Sequence, residues 1–100
     1  MPLEMLVGLN VTDDEAYSTY REGMTPILEN HGGSFGYDFK VAEVLRSESE
    51  VPINRVFTIR FPDEPTMSTF FSNAEYLEVK ATHFNRSVGD TVIIATYEPR

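Results

Sequence analysis

The sequence predicts an α+β fold in the order β-α-β-β-α-β, with one antiparallel four-stranded sheet carrying two helices on one face. Three observations predict it. Leu3 to Val11 alternates with period two, one side fully apolar and the other mixed, as a half-buried strand does. Ser34 to Arg46 and Arg55 to Phe61 alternate in the same way, and Thr91 to Tyr97 is apolar on both sides. Between these strands lie two stretches whose apolar residues recur every three or four positions, the period of a helix face.

In the first strand Leu3, Met5, Val7, Leu9 and Val11 share one face, and Glu4, Leu6, Gly8 and Asn10 share the other. Thr12-Asp13-Asp14-Glu15 matches a capping box with Thr12 as the cap, and its acids lie where the helix dipole favours them. The helix that follows runs to about Asn30, with Ala16, Tyr17, Tyr20, Met24, Ile27, Leu28 and His31 on one stripe. Pro26 should kink it, because the Glu22 carbonyl loses its partner, and Gly32-Gly33 supplies a left-handed stop. In the second strand Phe35, Tyr37, Phe39 and Val41 alternate with Gly36, Asp38 and Lys40, and a bulge near Ala42-Glu43-Val44 explains a shift of phase. Ser47 to Pro52 is a polar connector. In the third strand Phe57, Ile59 and Phe61 oppose Val56, Thr58 and Arg60.

Pro62-Asp63-Glu64-Pro65 ends that strand and opens the second helix. Its apolar positions 67, 70, 71, 74, 77, 81, 84 and 88 form one face. Ser72-Asn73-Ala74-Glu75 is a second capping box, so two helical pieces should abut there. Gly89-Asp90 closes the helix before the last strand. This is the ferredoxin-like plan, in a single domain over residues 1–100.

Composition narrows the function classes. With 41% hydrophobic and 24% charged residues the chain is ordinary globular material. It contains no run near the ~18 apolar residues of a membrane span, and its start lacks the basic and apolar regions of a secretory signal. There is no cysteine, hence no disulfide, thiolate metal site or Cys nucleophile, and a cytoplasmic home fits best. Sixteen acids against eight bases give a charge of −8, which opposes nucleic acid and anionic lipid as partners. The uncovered sheet face, expected to hold Leu6, Val56, Ile93, Ala95 and Tyr97 beside Asn10, Asp38, Thr58 and Arg60, is apolar enough to want a cover. A second copy packed face to face is the simplest one, leaving a mixed polar and apolar cleft between the two sheets for a small organic ligand.

Several runs also carry a family likeness. Val11-Thr12-Asp13-x-Glu15-Ala16-Tyr17-x-x-Tyr20, Pro26-x-Leu28, Gly32-Gly33, Glu43-Val44-Leu45, Arg55-Val56, Phe61-Pro62, Phe70-Phe71 and Glu75-Tyr76 follow in order along nearly the whole chain. The set resembles a family of short bacterial proteins, the domain of unknown function 1330, placed in the dimeric α+β barrel superfamily. The resemblance implies a dimeric ferredoxin-like architecture. Relatives implied with it include cofactor-free monooxygenases, haem-degrading monooxygenases, muconolactone isomerases and chlorite dismutases, so the fold does not name the chemistry. Where the family usually has an arginine seven residues past Tyr76, this chain has His83.

The candidate residues follow from these readings. His83 and Asn10 are the catalytic candidates, His83 as a base or haem ligand. By the 100° rule Tyr76, Lys80, His83 and Ser87 lie roughly 110° around the helix from the apolar face, with Arg86 nearby, and could attract an anion. Tyr17 and Tyr20 are core tyrosines whose phenols could reach a pocket. Asp38, Arg55, Thr58 and Arg60 complete the ligand-binding set. The two histidines lack ligand spacing, so neither a metal nor a cofactor is predicted. Binding of a small ligand by a homodimer is the leading reading. The alternative is a cofactor-independent monooxygenase or isomerase acting on an aromatic or enolic substrate, with haem binding or degradation third and weakened by the absence of tryptophan.

Overall fold

The computed structural model describes residues 1–99. Its strands are β1 (Leu3–Val11), β2 (Ser34–Lys40), β3 (Arg55–Phe61) and β4 (Val88–Tyr97). They form one antiparallel sheet in the order β2-β3-β1-β4, the ferredoxin-like arrangement. The helices are α1 (Asp14–Asn30), α2 (Glu64–Phe71) and α3 (Ala74–Val79). After α3 the chain continues without a break into a π-helical turn, Lys80–Phe84, and a last α-helical turn, Asn85–Ser87. No helix among the described residues is long and apolar enough to cross a membrane.

The register assigns the faces. Met5 pairs with Ile59 and Val7 with Phe57, so the alternating apolar sets of β1 and β3 meet the helices together. Met5, Val7, Leu9, Val11, Phe57, Ile59 and Phe61 are buried against Tyr17, Tyr20, Met24 and Leu28 of α1, with Phe70 and Tyr76 from the second helical layer.

Local chemistry sets the ends of α1. Asp13, one residue later than the capping box suggests, is the cap, and its carboxylate accepts from Ala16 N–H. Thr12 instead docks on the far end of the chain: its N–H and hydroxyl both donate to the Ser87 carbonyl. The helix runs through Pro26 to Asn30 and ends in a Schellman motif. Gly32 adopts φ +77° and donates to Glu29 O, and Gly33 donates to Leu28 O. At α2 the cap is Asp63, bound to Thr66 N–H, with Pro65 in the first turn.

Three expectations require correction. First, β2 ends at Lys40, residues 41–54 are irregular, and the bulge lies between Phe35 and Asp38. There Tyr37 N–H donates to the Thr58 hydroxyl at 2.8 Å, and Gly36 leaves room for that hydroxyl. Two residues oppose one, so the phase flips. Phe35 and Asp38 face the helices, whereas Tyr37 and Phe39 stack on each other on the open face. Second, Gly89 and Asp90 belong to β4, which begins at Val88 opposite Val11, and Ile93 lies on the helix side opposite Val7.

Third, the second helical layer turns a different face inward. The cap of α3 is Asn73, whose side chain accepts from Tyr76 N–H, while Ser72 closes α2. A wheel drawn straight through this break buries Leu77 and exposes Tyr76. In the structure the phase restarts: Tyr76 and Ser87 are buried, and Leu77 is 44% exposed. Phe70→Ala, at a fully buried ring in contact with Phe61, Phe71 and Tyr76, should cost about 3–5 kcal/mol in denaturant unfolding. Leu77→Ala should cost within about 0.5 kcal/mol; comparable losses would mean the phase does not restart at Asn73.

Candidate functional site

The helical layer does not lie evenly on the sheet. At one end Leu28, Phe61 and Phe70 pack with no exposed surface. Elsewhere the layer stands off and leaves a cavity of ≈ 450 Å³ between the two, within the usual size range for a small-ligand pocket. Its floor is the apolar face of β1 and β3, including Met5, Val7, Phe57 and Ile59, with Thr91 and Ile93 of β4 at one side. Its roof is Tyr17, Tyr20 and Met24 of α1, Met67 and Phe71 of α2, Tyr76 of α3, and Lys80 and Phe84 of the π-helical turn. A π-helical turn at a pocket wall is a recurrent location for this rare geometry.

One wall carries an ion cluster. Arg21 Nη1 lies 3.1 Å from Asp38 Oδ2, and Arg55 grips the same carboxylate in a bidentate pair at 2.7 and 2.8 Å. Arg21 also donates through Nε to the Tyr17 hydroxyl at 2.8 Å. Its guanidinium lies 4.0 Å from the Phe35 ring centroid and 4.7 Å from that of Phe57, a cation-π seat that fixes an otherwise flexible chain. Burial alone would push the Asp38 carboxyl up; the hydrogen bonds and charges of Arg55 and Arg21 outweigh it and hold the group below its usual value. The hydrogen bond that Arg55 donates to Asp38 in turn raises Arg55.

Hydroxyls continue from this wall along the roof, where the Tyr17 and Tyr20 ring centroids lie 5.7 Å apart. Tyr20 and Tyr76 share a buried hydrogen bond, oxygen to oxygen, at 2.9 Å. Burial pushes the Tyr17, Tyr20 and Tyr76 phenols up, so all three stay protonated at neutral pH. Lys80 Nζ stands 5.8 Å from the Phe84 ring centroid, and that ring lies 4.9 Å from the Tyr20 ring.

The family described as Domain of unknown function (DUF1330) matches residues 5–97. The chain belongs to that family. No curated protein matches this DUF1330 chain at a significant level. Among solved structures it is similar to the RPA0582 protein of unknown function from Rhodopseudomonas palustris, at 20% identity and a TM-score of 0.84, covering 99% of this chain and 82% of that one. It is also similar to a dimeric ferredoxin-like protein of unknown function from Jannaschia sp. CCS1, at 15% identity and TM-score 0.66, over 99% of this chain and 100% of that one. A third is SnoaB, a cofactor-independent oxygenase from Streptomyces nogalater, at 11% identity and TM-score 0.64, over 99% and 93%. At these identities the likeness establishes the fold of the DUF1330 domain.

The pocket lies on the helix face of the sheet, not on the open face where the sequence places a cleft. Of the sequence candidates, Tyr17, Tyr20, Tyr76 and Lys80 line it, and Asp38 and Arg55 brace Arg21 at its wall. The others are elsewhere. Thr58 and Arg60 are on the open face, where Arg60 pairs with Glu4 and Tyr97 donates to the same carboxylate. Asn10 pairs there with Asp90, and Arg86 is exposed on the last helical turn. His83 borders a shallow depression with Glu75, Glu78 and Thr82, one helical face away from the cavity. His31 donates from Nδ1 to Ile27 O at 2.8 Å and stacks edge-on with Phe70. Neither imidazole lines the cavity, and among the described residues no three His, Asp or Glu side chains gather to hold a metal.

Sequence reasoning missed Arg21. Its position four residues past Tyr17 is the available signal, because i and i+4 share a helix face. The Asp38 pKa is depressed on folding, so its contribution to stability is complete above its unfolded value near ~4 and is lost as pH falls through the lower folded value. Wild type should therefore be more stable than Asp38→Asn at pH 6, and the gap should shrink toward pH 3. A gap independent of pH in urea titrations would show that the carboxylate charge does not hold the two arginines.

Proposed function

We propose that this protein is a homodimer that binds a small, largely apolar organic molecule in the cavity between its sheet and its helices. The observation that carries the reading is a cavity of ≈ 450 Å³ walled by apolar and aromatic side chains, with polar groups confined to a few tips.

The dimer rests on the opposite face of the sheet. Tyr37 and Phe39, 66% and 55% exposed, stack there next to Val56 and Leu6, with Ala95 and Tyr97 across β1. Exposed aromatic rings with apolar neighbours on a mixed face mark an interaction surface. The Jannaschia relative, described as dimeric, supports the same arrangement.

Binding is favoured over catalysis by the ionisable groups in the cavity. Proton abstraction needs a base poised near the working pH. No carboxylate or imidazole lines this volume; its ionisable groups are Lys80, Arg21 and phenols pushed up by burial.

The four methionines supply the test, since Met5, Met24 and Met67 line the cavity and Met1 is 81% exposed. With 13C-labelled methionine methyls, 2-naphthalenemethanol should move the Met5, Met24 and Met67 signals and leave Met1 in place. No movement, or movement of Met1 alone, would remove the cavity as a binding site. Sedimentation velocity at micromolar concentration should give the mass of two chains; a one-chain mass would remove the dimer.

A further inference from the structure

We infer that the cavity selects an organic acid, an apolar body bearing one carboxylate, and that the carboxylate is held by Lys80 together with the phenols of Tyr17, Tyr20 and Tyr76. The inference rests on the cavity being the binding site and adds the class of ligand.

The observation is an imbalance between donors and acceptors. The three phenols bring three hydroxyl protons. One is used between Tyr20 and Tyr76, since a pair of hydroxyls sharing one bond leaves the second proton free. The Tyr17 oxygen accepts from Arg21, and its own proton has no protein acceptor among the described residues. Two phenolic protons out of three are therefore unspent. Lys80 adds an ammonium group that forms no ion pair among the described residues. Polar groups on a largely apolar pocket wall are costly when a ligand covers them and leaves them unpaired, so the ligand that binds best is the one that supplies acceptors.

Charge points the same way. The chain as a whole is −8, yet no Asp or Glu lines the cavity. Its wall holds Lys80 and an Arg21–Asp38–Arg55 cluster in which two positive charges meet one negative, leaving +1. A carboxylate offers two oxygens with about four lone-pair sites, enough for two phenols and an ammonium at once. A neutral alcohol of the same shape offers one oxygen and brings a proton that must itself find an acceptor. Arg21 is already committed to Asp38 and Tyr17, so its part is to bias the field and orient the Tyr17 hydroxyl.

The test compares 2-naphthoate with 2-naphthalenemethanol, titrated at pH 7 in about 0.15 M salt so that the overall charge is screened, and read on the Met24 and Met67 methyls. The acid should bind about tenfold more tightly than the alcohol, as hydrogen bonds to a charged group outweigh neutral ones. Lys80→Met, a change at a half-buried position that keeps the chain length, should bring the two affinities to within about threefold of each other. Tyr17→Phe should narrow the ratio in the same direction. Equal affinities in the wild type, tighter binding of the alcohol, or an unchanged ratio in Lys80→Met would overturn the selectivity and leave the cavity as a site. Failure of both compounds to bind would overturn the cavity reading as well.

Discussion

The Asn73 cap is the small interaction on which the interior depends. By accepting from Tyr76 N–H at 3.0 Å it ends one helix and begins another, and so rotates everything downstream. Tyr76 rather than Leu77 turns inward, reaches the Tyr20 hydroxyl and packs against Phe70 at 4.4 Å between centroids. Lys80 and Phe84 follow on the same side at four-residue steps. The cavity roof is the sum of these consequences. A continuous helix from Glu64 to Ser87 would present Leu77 and Ala81 to the sheet and carry the lysine away from it.

The two faces of the sheet are finished differently. Its helix face is apolar along β1 and β3, and Leu28, Phe61 and Phe70 cover one end of it completely. Its open face has exposed aromatic rings from β2, where the bulge at Gly36 and Tyr37 delivers them. The same bulge sends Asp38 the other way, between Arg21 and Arg55. One local irregularity thus feeds both sides: exposed aromatic rings on the open face and a fixed cluster of three charges at the cavity wall. Such a cluster, one-third exposed at Asp38, contributes more to orientation than to stability.

What was legible in the sequence is what local chemistry decides. Gly32-Gly33 announces a helix stop because few other residues take that backbone, Asp63 with Pro65 announces a helix start, and alternation in β1 and β3 fixes their faces. The ordered likeness to the DUF1330 family was legible on the same grounds. The illegible parts depend on partners far along the chain. The Thr58 hydroxyl that makes the bulge lies 21 residues from Tyr37, so the reversal of Asp38 has no local signature. The inward face of α3 was misread because a periodic pattern was continued across a cap that resets it. His83, grouped with Tyr76 and Lys80 on that wheel, parts from them at the π-helical turn, and the cavity itself, a gap between layers, has no residue pattern of its own.

The central claim is that the volume between roof and floor exists and is apolar. A crystal structure determined under xenon pressure tests it most directly, since xenon enters apolar cavities that water leaves dry. The account predicts xenon among Met24, Ile59 and Phe84, with the Tyr20–Tyr76 hydroxyl bond intact. A roof collapsed onto Phe57 and Ile59, with no xenon between, would contradict it.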